Sequence, residues 1–174
     1  HNIITGNAAS GELDAYGSGI YCSGGSPVIA NNIIRSNAAN AWCCIGIGIS
    51  CRSSQGITIV GNVISDHSGN GYGGGIYCAD SSGSITNNTV VGNSAEWSGV
   101  VSGGICYEQL GAPMNITIAN NIIAYNASGM CVYVYDAAPT LRCRSEVGQN
   151  ALRLAQLPVA RAQLNDATFA ASPE

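Results

Sequence analysis

Three carboxylate side chains recur at equal intervals in this sequence, and together they are able to bind a cation. Asp80, Glu108 and Asp136 lie 28 residues apart, each two places beyond the cysteine of a short apolar run or its equivalent. Neighbouring carboxylates repel one another unless a cation or water separates them, and Ca²⁺ prefers oxygen ligands. We predict no cofactor, and the spacing makes these residues a candidate calcium site, with a column of solvated turns as the favoured alternative.

Three aromatic side chains form a second candidate site. Trp42, Tyr72 and Trp97 lie nine or ten residues beyond a recurring asparagine. Exposed rings at this spacing can stack on the faces of sugars, whereas rings that fold back over the chain bury ~150–250 Å² each. Both interpretations stay open at this point, and the first makes these three residues a candidate carbohydrate-binding site.

A complete catalytic set is not recognisable in the sequence. The chain contains no lysine, and Arg52 is the one arginine near the register of the acidic residues. A glycosidase needs two carboxyl groups at a defined separation, and neither His1 nor His67 lies in a pattern typical of nucleophilic catalysis. We therefore predict no catalytic residue and favour a non-catalytic protein.

The composition restricts the class of protein further. The chain has 174 residues, 46% of them hydrophobic and 9% charged, which suits one packed domain. Its net charge of -4 and scattered arginines argue against a nucleic-acid partner, and no apolar run approaches the ~18–20 residues of a membrane span. The eight cysteines lack the CxxC spacing of zinc sites, which favours an oxidising extracellular or cell-surface location.

A repeat of variable length must position the candidate residues. The run NNIIRSN at residues 31–37 has four counterparts, in which an asparagine is followed by apolar residues and, five places on, by a second asparagine or His67. Runs of the type GIYC and runs centred on isoleucine also recur once in each repeat. Three short β-favouring runs per repeat, separated by Gly, Ser and Asn, predict an all-β parallel β-helix of about five three-strand coils.

The recurring asparagines have a structural explanation in such a solenoid. Stacked coils place equivalent residues ~4.8 Å apart, so each amide can bond both to the bend and to the amide of the next coil, forming a ladder. A buried amide left unpaired costs ~1–3 kcal/mol, so the ladder must be nearly continuous. The predicted ladder residues are Asn2, Asn32, Asn62, Asn88 and Asn121.

The cysteines also fall into columns. Cys22, Cys51 and Cys78 each follow an isoleucine by two places, so they are expected to point into the core, as packed thiols or as a disulfide between neighbouring coils. In the fourth coil the order is shifted, which turns Cys106 outward. Cys106 and Cys131 are therefore the predicted disulfide pair.

The runs NNIIRSN, GGGIYC, SITNNTVVGN and ITIANNIIAYN resemble the right-handed parallel β-helix repeats of pectate-lyase-like proteins. They are most similar to the Asn-rich GGGIYC/TITNN type of bacterial secreted and surface proteins. The resemblance covers about residues 1–141 and implies a right-handed solenoid, with acidic residues that hold calcium in the enzymes of the family. The fold hosts lyases, hydrolases, adhesins and structural stalks, so it does not fix the function.

The two ends of the chain suggest how the molecule associates. Residues 1–141 form the predicted β-helix, and residues 142–174 lose the repeat and are expected to form a C-terminal cap or tail. The first coil begins inside a motif, so we expect it to stack on another copy of the chain, head to tail, or on the rest of a longer β-helix. The leading prediction is a non-catalytic extracellular structural or surface module that can assemble head to tail into filaments. The alternative is a protein that binds or degrades polysaccharide.

Overall fold

The structure, a computed structural model, describes the backbone of residues 1–95, 102–109, 115–127, 130–136 and 142–147. These residues form β-strands and turns, and no helix occurs among them. The strands are β1 (Ile3–Thr5), β2 (Ala8–Ser10), β3 (Asp14–Tyr16), β4 (Ile20–Ser23), β5 (Val28–Ala30), β6 (Ile33–Arg35), β7 (Ala38–Asn40), β8 (Cys43–Ile45), β9 (Ile49–Arg52), β10 (Ile57–Val60), β11 (Val63–Ser65), β12 (Gly71–Tyr72), β13 (Ile76–Ala79), β14 (Gly83–Thr86), β15 (Thr89–Val91), β16 (Ser102–Gln109), β17 (Ile116–Ala124), β18 (Met130–Asp136) and β19 (Arg142–Val147).

All strand pairs are parallel, and they stack into three walls of a solenoid with about four turns. Wall 1 consists of β4, β9, β13, β16 and β18, wall 2 of β5, β10 and β14, and wall 3 of β1, β6, β11 and β15. Strands β17 and β19 run through both wall 2 and wall 3. The predicted parallel β-helix is therefore confirmed, and the strand pairing continues through β19, beyond residue 141.

The core of this main solenoid consists of stacked isoleucines. On each wall one residue in two points inward, because successive strand residues face opposite sides. Ile29, Ile59 and Ile85 stack in wall 2, and Ile34 and Ile64 stack in wall 3. All of them are buried in one continuous cluster, so the isoleucine columns hold consecutive coils in register.

The predicted asparagine ladder is present at the corner between walls 2 and 3. The backbone N–H and the side-chain Nδ2 of Asn62 both donate to Oδ1 of Asn88, at 2.9 and 3.0 Å. Nδ2 of Asn62 also donates to the carbonyl of Ile29 in the preceding coil, at 2.8 Å. The same bonds join Asn2 to Asn32, Asn32 to Asn62 and Asn88 to Asn121.

A second ladder follows wall 3, and it contains a histidine in the third coil. The His67 N–H donates to Oδ1 of Asn93, and His67 Nδ1 accepts from the backbone N–H of Asn37 at 3.0 Å. The ring is buried, and its Nε2 has no hydrogen-bond partner. Burial lowers the pKa of His67 to about 4. A Cβ on Gly48 would lie 2.7 Å from His67 Cδ2, so the glycine leaves room for the ring.

The cysteine column points into the core as predicted. Cys51 lies opposite Cys22 on one side and opposite Cys78 on the other, and all three pack in the isoleucine cluster. They are free thiols, so packed thiols are the correct one of the two alternatives for this column.

Between walls 3 and 1 the chain forms a side lobe that the sequence did not predict. It contains a two-stranded sheet of β2 and β7 and a three-stranded sheet of β3, β8 and β12. The first two turns therefore have five strands each rather than three. A separate cluster fills the lobe, in which Ile47 packs with four smaller side chains: Ala15, Ala39, Cys44 and Ala95.

Candidate functional site

The lobe meets wall 1 at a sharp corner that only glycine permits. Gly17, Gly46 and Gly73 follow the strands of the lobe sheet, and all three have positive φ. A Cβ on Gly46 would lie 2.7 Å from the Cβ of Ser50 and 2.8 Å from the Cβ of Tyr77. Because these outward-pointing side chains are so close to the bend, the outer faces of the two sheets meet at a concave corner, which we call a groove.

The strand register places tyrosines on both sides of this groove. On the lobe side Tyr16 and Tyr72 lie in one column, with Ile45 between them. On wall 1 Tyr21 and Tyr77 lie in one column, with Ser50 between them. We define the tyrosine groove by the larger side chains of these two columns and by the neighbouring guanidinium of Arg52. Its residues are Tyr16, Tyr21, Ile45, Arg52, Tyr72 and Tyr77.

The first-coil end of the groove is open to solvent. The rings of Tyr16 and Tyr21 lie with their centroids 5.7 Å apart at an interplanar angle of 43°, and Tyr21 is 48% exposed. The Arg52 guanidinium lies 5.0 Å from the centroid of the Tyr16 ring, which is a cation–π contact. The hydroxyl of Tyr16 donates to Asp14 at 3.1 Å. Burial and this hydrogen bond raise the pKa of Tyr16.

The groove is closed at the third and fourth coils. Tyr77 is almost fully buried and packs with Cys106, Ile45 and Tyr72 in a small apolar cluster. Its hydroxyl donates to Oε2 of Glu108 at 2.7 Å, and burial together with this bond raises the pKa of Tyr77. This end of the groove therefore packs the lobe against wall 1, and the exposed ring of Tyr21 lies at the opposite end.

The predicted column of acidic residues is wrong in its register. Glu108 lies opposite Ala79, one position before Asp80, and Asp136 lies opposite Gln109. The prediction treated Cys106 as the equivalent of Cys78, because each lies two residues before an acidic residue. Cys106 in fact pairs with Tyr77, so Glu108 is displaced by one residue from the position of Asp80. The three acids do not form a single column, and no group of three or more His, Cys, Asp or Glu suited to a metal occurs among the described residues.

The predicted aromatic column is also wrong in its register. The Ala38–Ser68 bridge has an offset of 30 residues, whereas the Cys44–Gly71 pair has an offset of 27. The lobe of the third coil is thus three residues shorter, and Tyr72 lies opposite Ile45 rather than Trp42. Trp42 is 72% exposed at the tip of the lobe, Tyr72 lies in the groove, and Trp97 is outside the described residues.

The predicted disulfide between Cys106 and Cys131 is wrong as well. Cys106 is a free, buried thiol that faces outward from the main core, as expected. Its partner on β18 is Tyr133, so Cys131 is displaced by two residues along the strand. That places the two Cα atoms ~8 Å apart, beyond the ~7 Å that a disulfide can span.

The sequence contains a signal for the groove in a short recurring run. The run YGSGIY at residues 16–21 recurs as YGGGIY at residues 72–77, and the second coil has IGIGIS at residues 45–50. In the first run the rings of Tyr16 and Tyr21 meet across the corner glycine, and in the third coil Tyr72 packs against the cluster that contains Tyr77. A pair of aromatic residues five apart around a glycine therefore indicates a groove in this kind of solenoid.

A comparison with protein families agrees with this architecture, whereas a comparison with solved structures found no match. No helix among the described residues has the length and apolar character needed to cross a membrane. A family model described as "Right handed beta helix region" matches residues 1–145, a range that includes the isoleucine columns, both ladders and the tyrosine groove. The chain therefore belongs to the right-handed β-helix family.

Proposed function

We propose that the chain is a non-catalytic, secreted or cell-surface β-helix module that binds an extended carbohydrate in the tyrosine groove. The observation that carries the proposal is the open ring pair of Tyr16 and Tyr21 beneath Arg52. The apolar faces of sugars stack on aromatic rings, while a guanidinium and a carboxylate supply hydrogen bonds to sugar hydroxyls. Asp14 stands beside Tyr16 as such a carboxylate.

The spacing of the groove favours a polymer over a single sugar. Successive coils are ~4.8 Å apart, close to the length of one pyranose unit in an extended glycan. The open end of the groove contains the ring pair of the first coil and Arg52 of the second coil, so it can contact more than one unit of the same chain. A polysaccharide that lies parallel to the solenoid axis fits this arrangement best.

Binding to a panel of neutral and acidic polysaccharides, with Ca²⁺ or with a chelator, tests the proposal. We expect Tyr21→Ala and Arg52→Ala each to weaken binding about tenfold, because each removes ~1–1.5 kcal/mol of ligand contact. Tyr125→Ala is the matched control, since Tyr125 is 76% exposed outside the groove. Equal binding by all three variants, or no binding to any polysaccharide, would contradict the proposal.

A second candidate function is assembly by stacking of coils. In both ladders each coil donates to the side chain of the coil that follows it, and the acceptor is an asparagine Oδ1 except at His67, where it is Nδ1. The Oδ1 atoms of Asn2 and Asn7 are therefore the acceptors that a further coil would use. We propose that this edge stacks on another copy of the chain or on preceding coils of a longer β-helix.

Electron microscopy in dilute neutral buffer tests self-assembly. Filaments are expected, and they should disappear with Asn2→Lys, which removes the acceptor and places a charge at the stacking edge. Asn40→Lys, on an exposed position of the lobe, is the control and should leave the filaments intact. Isolated short rods of the unsubstituted chain would exclude self-stacking without bearing on the groove.

A further inference from the structure

A column of three thiols crosses the first three coils of wall 1. The register places Cys22 directly opposite Cys51, and Cys51 directly opposite Cys78. All three side chains pack in the isoleucine cluster, and the structure shows them in the reduced form. Aligned residues on neighbouring strands lie ~4.8 Å apart, and a disulfide bond joins Cα atoms that are ~4.4–6.8 Å apart. Each neighbouring pair of thiols is therefore within reach of a disulfide.

The three thiols differ in their access to solvent. Cys22 is partly buried, whereas Cys51 and Cys78 are fully buried. A dissolved oxidant can therefore reach Cys22 but neither of the other two, because thiol exchange requires access to the sulfur. Oxidation of the column has to begin at Cys22, and Cys51 is the thiol that lies beside it to complete a disulfide.

Cys22 also lies on the strand that is displaced most easily. Strand β4 is the end strand of its sheet, and among the described strands it pairs only with β9, whereas β9 and β13 have a partner on each side. The Cβ atoms of a disulfide lie ~3.8 Å apart, closer than the strand spacing. Formation of the bond therefore needs a small displacement, which an end strand can make without disturbing a second partner.

The inner part of the column favours Cys51 as the second reacting thiol. The adjacent Cys78 thiol lowers the pKa of Cys51, while the pKa of Cys78 itself is raised by its contact with Cys51 and by burial. The thiolate is the attacking form in disulfide exchange. Cys51 is therefore the better nucleophile of the two buried thiols.

We propose that Cys22 and Cys51 form a disulfide in an oxidising environment and that this bond joins the first coil to the second. With oxidised glutathione as the oxidant, the Cys22 thiolate attacks one sulfur and releases one glutathione thiolate. The Cys51 thiolate then attacks Sγ of Cys22 and releases the second. The protein loses two protons and two electrons, the oxidant becomes two molecules of glutathione, and Cys78 remains a thiol.

The bond also bears on the tyrosine groove, through the chain neighbours of the two cysteines. Tyr21 precedes Cys22 and Arg52 follows Cys51, so both lie on the joined strands and point to the opposite face. Joining β4 to β9 therefore limits the relative movement of Tyr21 and Arg52 at the open end of the groove. Formation of the disulfide itself is independent of any ligand.

Incubation of the full-length chain with oxidised glutathione tests this assignment. The remaining thiols are alkylated, and the protein is digested with trypsin and analysed by mass spectrometry. Trypsin cleaves after Arg35 and Arg52, so the two cysteines fall in different peptides, 1–35 and 36–52. Fragment spectra distinguish Cys51 from Cys43 and Cys44 in the second peptide. The reaction is repeated on the Asn2→Lys chain, in which no stacked copy covers Cys22.

We expect most molecules to contain a reducible bond between Cys22 and Cys51. Cys43 should be found only as a mixed disulfide with glutathione, since Asp14 rather than a cysteine lies opposite it. Cys51→Ala should leave Cys22 as a mixed disulfide, whereas Cys78→Ala, the matched control from the same column, should keep the bond. A bond between Cys51 and Cys78, or a Cys22 that stays unpaired in both the unsubstituted and the Asn2→Lys chain, would overturn the proposal.

Amide hydrogen exchange shows whether the bond holds the first coil. The N–H groups of Ile20 and Gly24 donate to the carbonyls of Gly48 and Arg52 in the second coil. Their exchange should slow by about threefold or more after oxidation and recover on reduction, while that of the ladder residue Asn62 should not change. Unchanged exchange at Ile20 and Gly24 in the oxidised protein would contradict the joining of the two coils.

Discussion

The main solenoid and the side lobe are built from the same repeating coils, yet different interactions stabilise them. The solenoid has long isoleucine columns and two ladders of buried amides. The lobe has strands of two or three residues around a cluster composed mainly of alanine and cysteine. Burying an isoleucine is worth ~1.5–3 kcal/mol, whereas a single methyl group contributes ~0.8 kcal/mol. We infer that the solenoid supplies the stability and that the lobe contributes little to it.

This difference explains why the candidate site lies at the junction of the two regions. The third coil shortens the lobe by three residues without disturbing the isoleucine columns. The lobe can therefore vary in length and sequence while the solenoid keeps its register. Tyr21, Arg52 and Tyr77 stand on the rigid wall 1, and Tyr16 and Tyr72 stand on the variable lobe. A rigid face opposite a variable one is a suitable basis for ligand specificity.

The largest expected effect comes from truncating the solenoid core. Ile59→Ala should lower the free energy of unfolding by about 2–5 kcal/mol, because it leaves a cavity in a fully buried column. The matched lobe variant Ala39→Gly should cost only about 1 kcal/mol. Urea denaturation of both proteins measures the difference. Equal losses would mean that the lobe is as important for stability as the solenoid.

A smaller but still large effect is expected from the ladder. Asn88→Ala should cost about 3 kcal/mol, because it removes the acceptor of the buried Asn62 N–H and Nδ2 and the donor to the Ile59 carbonyl. The neighbouring Asn87 is exposed and has a φ of 56°, so Asn87→Gly should change stability by less than about 0.5 kcal/mol. Thermal unfolding compares the two, and similar losses would refute the ladder as a source of stability.

The histidine in the second ladder predicts a dependence of stability on pH. The pKa of His67 is about 4 in the folded chain, below the ~6.5 of an unfolded histidine. The unfolded state therefore binds the proton first as the pH falls. The stability is fully present above pH ~6.5 and decreases by up to about 3 kcal/mol as the pH falls towards 4.

His67→Asn isolates this contribution from that of the carboxyl groups. Asparagine restores the residue found elsewhere in the ladder and removes the unpartnered Nε2. The variant should lose the part of the pH dependence between pH 6.5 and 4 and should be at least as stable at pH 7. Denaturation curves at several pH values measure it, and an unchanged slope would show that His67 does not titrate on unfolding.

The smallest effect on stability should come from the groove. Tyr21 is half-exposed, so Tyr21→Ala should change the free energy of unfolding by about 1 kcal/mol or less while weakening ligand binding about tenfold. Comparing its melting temperature with its binding isotherm separates the two effects. A large loss of stability with unchanged binding would make the tyrosines part of the core rather than of a site.

The sequence was sufficient to predict the solenoid but not the site. Asn62 and Ile59 have equivalents in the coils before β19, because each matches an identical neighbour ~4.8 Å away, and this repetition is visible in one chain. The lobe can change its length from one coil to the next, so its register could not be counted from the repeated asparagine. Tyr72 was therefore assigned to the column of Trp42. A displacement of one residue at Cys106 similarly produced a false column of acids.

Amide hydrogen exchange followed residue by residue tests the central claim most directly, namely that the solenoid carries the stability and the lobe opens locally. We predict that the N–H groups of Asn32, Asn62 and Asn88, which donate to buried amide oxygens, exchange only through global unfolding. Those of Ala39 and Cys44 in the lobe should exchange at least tenfold faster at neutral pH. Equal protection of both sets would contradict the account, because it would show that lobe and solenoid unfold as one unit.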